Sequence, residues 1–393
     1  MFVYSTKRVK REKQMKILFL SAGNSVHTVK WVNALADRGH DVHLVFQSNH
    51  KPLGNEISNK AKLYCLKYSG NKGYFINALE LRRLFQTIKP NVVNAHYASG
   101  YGTLARLARL RPLVLSVWGS DVYDFPYQNK LNMKLVVKNL LYADQIVSTS
   151  HCMADQARKL PGIRSVNIEI IPFGVDIKQF RRKNKKENKE TICIGNIKTL
   201  EPKYGIIDLI RAVGILKKNL ESKGLAEVSK KIVVQIYGDG RQKDEIAKLI
   251  KQLQLTDTVE LKGKIPNSKV PEALEKMDIF CVTSKSESFG VSAVEAMAME
   301  LPVVATDVDG FEEVVNDGLT GIIVKKSNAN SIAEALGKFI LDENLRIKMG
   351  KCGRNKVIEC YNLENNVDLM IGTYINTVKT YKAKRGKKLY RSK

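Results

Sequence analysis

The sequence predicts an α/β protein with two doubly wound parallel sheets, and three observations support this prediction. The chain of 393 residues is long enough for two or three domains. Short apolar runs alternate with stretches of helical periodicity, which is the pattern of parallel strands joined by crossover helices. The alternation occurs once before and once after the polar segment 181–190. We therefore predict two Rossmann-like domains in succession, facing each other across a central cleft.

The first half of the chain supplies the strands of one predicted sheet. Its apolar runs are KILFLS (16–21), HDVHLVF (40–46), AKLYCLKY (61–68), NVVNAH (91–96), PLVLSVW (112–118) and QIVSTSH (145–151). Helical stretches separate these runs, so the strands should be parallel with right-handed connections. Ligands of such sheets bind beyond the carboxyl ends of the strands. The functional side chains of this half are therefore expected in the loops that follow the runs.

Four residues of the first half fall in these loops. Gly23 and His27 follow the first run, and Asp121 follows the fifth. His96 ends the fourth run and leads into the glycine-rich loop ASGYG, so it is the predicted catalytic histidine. The other three are predicted to face the cleft or an acceptor. A buried structural histidine and a turn-capping aspartate remain open alternatives.

The second half repeats the alternation. Its predicted strands are TICIGNI (191–197), KIVVQIY (231–237), TVELKGKI (258–265), MDIFCVTS (277–284), PVVATD (302–307) and TGIIVKK (320–326). Lys198 and Lys203 lie in the loop after the first of these strands, where two lysines can meet a diphosphate as point charges. Gly238 begins a turn with two glycines after the second strand. This half therefore has the features of an anion-binding domain.

The most informative stretch is 284–315. Glu287 and Glu295 are eight residues apart, and the apolar IFCV before them and the helical spacing of VSAVEAMAM predict a strand, a tight loop and a helix. The first-turn N–H groups of a helix lack partners, and its dipole favours a phosphate there. Gly290 lets a ligand approach the backbone. Because carboxylates accept hydrogen bonds from sugar hydroxyls, the stretch predicts a nucleotide-sugar site.

This stretch resembles the family-4 retaining glycosyltransferases of the GT-B fold, the glycosyl transferases group 1. The residues that carry the resemblance are ESFG at 287–290, EAMA at 295–298, LPVVAT at 301–306, EEVVNDGLTG at 312–321 and IPFGVDIKQF at 171–180. The resemblance covers nearly all of residues 15–380. It implies that Glu287 lies at the donor sugar and that Glu295 binds the nucleotide ribose. Lys198 and Lys203 keep the family's spacing, with Lys198 in place of an arginine.

The resemblance implies transfer of a glycosyl unit from a UDP- or GDP-sugar to a hydroxyl, with retention at the anomeric carbon. Glu287 and His96 are the predicted catalytic residues. The predicted donor-binding residues are Lys198, Lys203, Gly238, Ser288, Phe289, Gly290, Val291 and Glu295. Lysines and a helix dipole can stabilise a departing diphosphate, so no cofactor and no metal are expected. The pair Asp307 and Asp309 is an alternative metal site, which we expect not to be used.

The resemblance also implies the domain boundaries. We predict a disordered basic extension at 1–14, an acceptor-binding domain at 15–175 and a nucleotide-sugar-binding domain at 176–361. Residues 362–393 are predicted to form a terminal helix that returns toward the first domain, followed by a basic tail. Met15 is an alternative start, because the regular pattern begins there.

The net charge of +26 is concentrated in the two ends of the chain and in segment 181–190, so it indicates either solvated tails and a solvated linker or attraction to an anionic surface. A nucleic acid fits poorly, because the aromatic content is 7% and no base-stacking motif is present.

No run of about 18 apolar residues occurs, so no membrane span is predicted. The scattered cysteines indicate reduced thiols of a cytosolic protein. Lys130, Lys134 and Lys138 recur at helical spacing, so we expect peripheral binding to the anionic inner face of a membrane.

The predicted pathway is the assembly of a cell-envelope polysaccharide or glycolipid, with a lipid-linked or saccharide acceptor. Two alternatives stay open. A GT-B epimerase that acts on a nucleotide sugar would share the donor site and need no acceptor. A nucleic-acid-binding protein would explain the charge but not the stretch 284–315.

Overall fold

The computed structural model describes residues 14–54, 56–183 and 190–391, with side chains described as far as residue 386. The predicted extension 1–14 therefore lies outside the described residues, apart from Gln14. The same is true of most of the basic segment 181–190 and of the end of the basic tail. The chain divides into two compact units. Unit 1 comprises residues up to 148, 156–169 and 367 onward, and unit 2 comprises 149–155 and 170–366.

The elements up to β7 form the first sheet and its helices. They are β1 (Lys16–Leu20), α1 (Val26–Asp37), β2 (Asp41–Gln47), β3 (Lys62–Leu66), α2 (Gly70–Ile76), α3 (Ala78–Ile88), β4 (Val92–His96), α4 (Gly102–Leu107), β5 (Leu113–Val117), α5 (Ser120–Tyr123), α6 (Lys130–Tyr142), β6 (Gln145–Ser148), α7 (His151–Arg158) and β7 (Ile168–Ile170). The strand order is β3-β2-β1-β4-β5-β6-β7, and the pairs from β3 to β6 are parallel. The order reverses between β1 and β4, so the ligand crevice of this sheet lies beyond their carboxyl ends.

The second sheet follows the same plan. Its elements are β8 (Ile192–Ile197), α8 (Ile206–Ser222), α9 (Ala226–Lys230), β9 (Ile232–Tyr237), α10 (Lys243–Gln252), β10 (Val259–Gly263), α11 (Val270–Glu275), β11 (Ile279–Val282), α12 (Val291–Ala298), β12 (Val303–Thr306), α13 (Asp309–Val314), β13 (Gly321–Val324), α14 (Ala329–Leu341) and α15 (Glu343–Cys360). All strands are parallel in the order β10-β9-β8-β11-β12-β13. Here the order reverses between β8 and β11.

The cores explain why the strands read as continuous apolar runs. Strands β1, β5 and β11 are buried on both faces, because helices cover both sides of a parallel sheet. The predicted fold class, two doubly wound parallel sheets, is confirmed. Cys193 and Cys281 lie in core strands as free thiols, and burial raises the pKa of Cys281.

The terminal helix α16 (Leu363–Arg391) occupies nearly all of the predicted 362–393, including part of the predicted basic tail. From residue 367 onward it belongs to unit 1. Tyr374 is fully buried there and donates a hydrogen bond of 2.8 Å to Asn94 Oδ1 at the end of β4. Among the described residues, every helix is too short or too polar to span a lipid bilayer.

Candidate functional site

In unit 2, two loops meet at the point where the strand order reverses. The loop after β8 and the loop after β11 are joined by Lys285 N, which donates to Lys203 O at 2.7 Å. Thr283 Oγ1 also donates to Gly205 O at 2.9 Å. Gly205 has φ 62°, and a Cβ there would lie 2.1 Å from Thr283 O. The close contact between the loops therefore requires glycine at this position.

The two loops bring Lys198 and Glu287 into direct contact. Lys198 Nζ lies 2.5 Å from Glu287 Oε2, and the two side chains are 14% and 15% exposed. A pair that is mostly shielded from water interacts more strongly than a surface pair. Lys198 N donates to Tyr237 O at 3.0 Å, and a Cβ on Gly238 would lie 1.9 Å from Lys198 O. Gly238 thus allows the backbone of Lys198 to pack at the end of β9.

Lys203 lies on the same loop and is exposed. The ring of Tyr204 lies close to both lysines. Lys198 Nζ is 4.8 Å from the ring centroid, and Lys203 Nζ is 4.9 Å from it. Both distances are within the range of a cation–π interaction. The two predicted diphosphate-binding lysines therefore share one aromatic neighbour, which the sequence did not identify.

The loop after β11 leads into the N-terminus of α12. Gly290 precedes the helix with φ 90°, and a Cβ there would lie 2.8 Å from the ring of Phe311. Gly290, the N-cap residue, has no side chain to cap the first turn, and Ala293 N donates to Gly290 O at 3.0 Å, so the N–H groups of Val291 and Ser292 are those without an intrahelical acceptor. Val291 is the first helical residue. Glu295 is half-buried in the second turn, as predicted from its spacing to Gly290.

Ser288 and Phe289 hold this loop in place. Ser288 O accepts a hydrogen bond of 2.7 Å from Ser150 Oγ. Phe289 is buried and packs edge-on against Phe173 and Tyr361, with ring centroids 5.8 and 5.5 Å away. The Phe289 side chain thus anchors the loop that carries Glu287 and leaves only its backbone for a ligand.

Several polar atoms at this edge are buried without a hydrogen-bond partner in the described part of the chain. They are Asn196 Oδ1, Asp208 Oδ2, Ser284 Oγ and Ser292 Oγ. Buried polar atoms without partners are uncommon, because each costs free energy. Ser292 is the second residue of α12, beside the N–H groups that no side chain caps.

Asp307 and Asp309, the alternative metal site, do not act as a pair in this structure. Asp307 Oδ1 accepts from Lys326 N at 2.6 Å, and Asp309 is exposed in the first turn of α13. Within residues 14–54, 56–183 and 190–391, no group of three His, Cys, Asp or Glu side chains could hold a metal ion.

In unit 1, the corresponding edge is formed by the loops after β1, β4 and β5. His96 is 2% exposed and lies within a buried polar network. Asn94 Nδ2 donates to Val114 O, which leaves Asn94 Oδ1 facing His96 Nε2 at 3.3 Å. The Asn94 oxygen therefore accepts a hydrogen bond from the protonated Nε2 of His96. His96 Nδ1 then accepts from Ser21 Oγ at 3.0 Å. Both ring nitrogens are used in the neutral form.

Burial, with a smaller contribution from the nearby His27, lowers the pKa of His96 well below its usual value. Trp118 covers the ring at 3.8 Å between centroids. The prediction that His96 is catalytic finds no support in this geometry, because no nitrogen is left for a substrate proton. His96 instead connects Ser21 to Asn94.

Gly23, His27 and Asp121 also have local partners in unit 1. Gly23 is buried, and a Cβ there would lie 2.8 Å from the ring of Pro52. His27 is half-buried against Trp118, and burial with the charge of Lys30 lowers its pKa to about 3.

The Asp121 carboxylate accepts hydrogen bonds from backbone N–H groups. Ala98 N donates to Oδ2 at 2.7 Å, and Trp118 N and Gly119 N donate to Oδ1 at 3.1 and 2.9 Å. Burial raises the pKa of this carboxyl against those hydrogen bonds. The turn-capping alternative therefore describes Asp121 in this structure, and an acceptor contact by it stays a prediction.

The side chains at this edge of unit 2 can bind both phosphates and hydroxyl groups. Two cations and an uncapped helix N-terminus lie at one end of a sheet, with two carboxylates beside them. Cations and helix N–H groups bind phosphates, and carboxylates accept from hydroxyls. The edge thus fits a phosphate group joined to a polyhydroxylated molecule.

Comparisons with known families agree with this chemistry. Residues 176–356 match the family described as "Glycosyl transferases group 1". Residues 16–150 match the family described as "Glycosyl transferase 4-like". The two matches together cover most of both units.

Individual relatives extend over most of the chain. It is 25% identical over 365 residues to an N-acetyl-alpha-D-glucosaminyl L-malate synthase of Bacillus anthracis, covering 88% of this chain and 91% of the relative. It is 27% identical over 350 residues to the capsular polysaccharide biosynthesis glycosyltransferase CapM of Staphylococcus aureus, covering 83% and 87%. The structure of Anabaena Alr3699/HepE in complex with UDP superposes with a TM-score of 0.72 at 17% identity, covering 92% of this chain and all of the other.

Proposed function

Because the chain belongs to the glycosyl transferases group 1 family and is a glycosyltransferase of the GT-B fold, we propose that it uses a nucleotide-sugar donor and transfers the sugar with retention. One observation carries the proposal. The contact of Lys198 with Glu287 joins a phosphate-binding group to a hydroxyl-binding group at the end of β8 and β11. A nucleotide sugar has its diphosphate and its sugar directly bonded, so it needs the two groups side by side.

The proposed role of the cations is to stabilise the leaving diphosphate. Negative charge grows on that group as the bond to the sugar breaks. Lys198, Lys203 and the N–H groups of the first turn of α12 lie at this end of the sheet and can stabilise this charge. Glu287 positions the donor sugar, and Glu295 accepts from the ribose hydroxyls.

The resident ion pair must rearrange during this reaction. Lys198 Nζ donates to Glu287 Oε2 at 2.5 Å in this structure. A diphosphate offers Lys198 a stronger anionic partner, and the sugar hydroxyls then offer donors to Glu287. The donor thus replaces each partner of the pair with a better one.

The relatives support a proposal for the donor and the pathway. A UDP-sugar is the first candidate, because the superposed HepE structure contains UDP, and a GDP-sugar is the second. CapM is named for capsular polysaccharide biosynthesis. We therefore assign this chain to envelope polysaccharide or glycolipid assembly. Both matching families are glycosyltransferase families, so they do not favour the epimerase alternative.

A donor panel tests the proposal. The full chain is incubated with UDP- and GDP-sugars, with and without a membrane extract that supplies acceptors, and release of nucleoside diphosphate is measured. We expect release that depends on the extract. Release without any sugar transfer, or interconversion of the donor sugar without an acceptor, would contradict a transferase reaction. The anomeric configuration of the product, determined by NMR, tests retention.

Peripheral membrane binding is the second part of the proposal. On α6, Lys130, Lys134 and Lys138 are all exposed, and the helix contains no acidic residue. Leu131, the second residue of the same helix, is 77% exposed. An exposed basic and apolar surface fits an anionic bilayer, where each lysine contributes about 1 kcal/mol.

Helices α2 and α3 extend this surface. Phe75 and Ile76 at the end of α2 and Leu79 at the start of α3 are exposed, and Leu79 is 75% exposed. The connections β3 to β4, β4 to β5 and β5 to β6 all cross the sheet in one direction. Right-handed crossovers therefore put α3, α4 and α6 on the same face of the sheet. An acceptor carried by a lipid would then be reached from the bilayer.

Vesicle co-sedimentation tests the membrane proposal. The triple variant K130Q/K134Q/K138Q should bind phosphatidylglycerol vesicles roughly 100-fold more weakly at low salt. The matched control K243Q/K248Q/K251Q removes three exposed lysines of α10 in unit 2 and should bind nearly as the wild type does. Equal loss in both triple variants, or equal binding to neutral vesicles, would reject α6 as the docking surface.

A further inference from the structure

We infer that Tyr204 is a positioning residue that holds Lys198 and Lys203 in place for the donor diphosphate. The two ammonium groups lie 4.8 and 4.9 Å from the centroid of its ring. This inference rests on the proposed function, because it assumes that both lysines bind the diphosphate. It adds a residue that itself need not touch the donor.

The backbone of Tyr204 is held on both sides. Its N–H donates to Glu201 O at 2.9 Å, and its carbonyl accepts from Thr283 Oγ1 at 3.1 Å. The next residue is Gly205, whose left-handed backbone packs against Thr283. The ring is half-buried and is therefore attached to the rigid end of β11, not to a free loop. A fixed ring is able to restrain flexible lysine side chains.

Lys203 depends on this ring for its restraint. In the part of the chain that the structure describes, Lys203 forms no ion pair, and the nearby carboxylate of Glu201, which interacts with it electrostatically, is paired with Arg241. An exposed lysine side chain has many rotamers, and ordering it on a ligand costs conformational entropy. A cation–π contact with Tyr204 removes part of that freedom before the donor arrives.

Lys198 depends on the Tyr204 ring once Glu287 has turned to the donor sugar. In this structure its counter-ion is Glu287, with Nζ 2.5 Å from Oε2. When Glu287 turns to the sugar, Lys198 loses that carboxylate, and the negative face of the Tyr204 ring remains beside its ammonium group. The ring thus keeps Lys198 at the diphosphate while the ion pair is open.

The two contacts require an aromatic ring and do not require the hydroxyl. Tyr204→Phe therefore keeps the function, whereas Tyr204→Leu and Tyr204→Met lose it. Losing two cation–π contacts should raise the dissociation constant for a nucleoside diphosphate about 5- to 20-fold. Turnover should fall in parallel, because the same lysines stabilise the leaving group.

Calorimetric titration of the full chain with UDP and with GDP tests the inference. The variants are Y204F, Y204L, Y204M, K203A and the double variant K203A/Y204L. We expect Y204F to bind within about twofold of the wild type and Y204L and Y204M to bind 5- to 20-fold more weakly. In the K203A background, Y204L should cost less than it does alone, because one of its two partners is already absent.

Thermal unfolding separates this role from a structural one. Y204M keeps an unbranched apolar side chain and should unfold near the wild-type temperature, so its weak binding would not reflect misfolding. If Y204L and Y204M bound as the wild type while K203A bound weakly, the inference would be overturned and the proposed function would stand. If K203A also bound normally, the proposed diphosphate site itself would fail. Weak binding by Y204F would assign the effect to the hydroxyl and overturn the role of the ring.

Discussion

The same edge of the two sheets has opposite character. In the loops after β1, β4 and β5 of unit 1, the buried polar side chains have partners within the unit: His96 uses both nitrogens, and Asp121 accepts from backbone N–H groups with both oxygens. At the end of β2 in the same unit, the buried side-chain amide of Gln47 has no partner among the described residues. At the carboxyl edge of unit 2, Lys203 is exposed, and Ser292 Oγ in the first turn of α12 also lacks a partner in the described part of the chain. The network around His96 is complete without a ligand, and the edge that carries Lys203 is not.

This difference separates two uses of one architecture. Both edges occur where the strand order reverses, which is where such sheets bind ligands. Polar groups that satisfy each other stabilise the unit, whereas groups left without partners gain by binding. Substitutions at the first edge should therefore change folding, and substitutions at the second should change activity.

The largest expected effect is on folding of unit 1. His96→Ala leaves a cavity and deprives Ser21 and Asn94 of a partner, so it should lower the free energy of unfolding by about 3 kcal/mol. Chemical denaturation measures this. Tyr374→Phe removes only the hydrogen bond to Asn94 and should cost about 1 kcal/mol. A stable His96→Ala protein with abolished turnover would instead restore the catalytic role of His96.

Lys203→Ala should have the converse effect. The lysine is exposed, so unfolding should not change, but kcat/KM should fall by about 10- to 100-fold, which is about 1.4–2.8 kcal/mol. Lys203→Arg keeps the charge and should retain most activity. Steady-state kinetics with the preferred donor measures both variants. A fully active alanine variant would remove Lys203 from the diphosphate site.

Glu295→Ala tests the ribose contact at the same edge. The ribose hydroxyls would lose their acceptor, so the affinity for nucleoside diphosphate should fall by about 1–3 kcal/mol. Glu312→Ala, an exposed glutamate in the first turn of α13, is the control and should leave affinity unchanged. Titration calorimetry decides between them, and equal affinities for both variants would reject the assignment of Glu295.

Mild acid should affect unit 1 more than unit 2. The histidines whose pKa is lowered all lie in unit 1, and burial is the main cause in each: His27, His40, His43, His50 and His96. Below pH 6.5 the unfolded chain takes up protons that the folded unit excludes, so stability is complete above that pH and falls as the pH decreases. For His96 the loss approaches about 1.4 kcal/mol per pH unit.

Hydrogen exchange at pH 7 and pH 5.5, resolved by unit, measures this effect. The amides of β4 should exchange faster at the lower pH, after correction for the intrinsic rate, while those of β8 change less. Uniform acceleration in both units would show that histidine burial does not set the pH response.

Chelation should have the smallest effect. The proposed stabilisation of the leaving group uses lysines and a helix N-terminus, so excess EDTA should leave the rate within about twofold. The rate is measured before and after dialysis against the chelator. Loss of activity that magnesium or manganese restores would assign a metal to Asp307 and Asp309 after all.

The sequence predicted much of the donor edge because its signals are local. Glu287, Gly290 and Glu295 lie within nine residues, and a strand–loop–helix pattern is enough to place them. The spacing of Lys198 and Lys203 is also visible in one loop. What the sequence could not show is that Lys198 pairs with Glu287, because these residues are 89 positions apart and meet only when β8 and β11 become neighbours.

The sequence by itself determined the α/β class, the two parallel sheets and the loops that carry the donor edge, because periodicity and glycine placement act over short stretches of chain. Tertiary structure alone decided which polar side chains have their hydrogen-bond partners within the protein. His96 ends β4 and Lys203 follows β8, and nothing in their immediate sequence distinguishes a buried side chain from an exposed one. The difference arises from distant partners: Asn94, next to His96, bonds to Tyr374, which is 280 residues away and reaches the network only through the packing of α16. Whether a polar side chain stabilises the fold or binds a ligand depends on such partners, since burial and hydrogen bonding are properties of the packed chain.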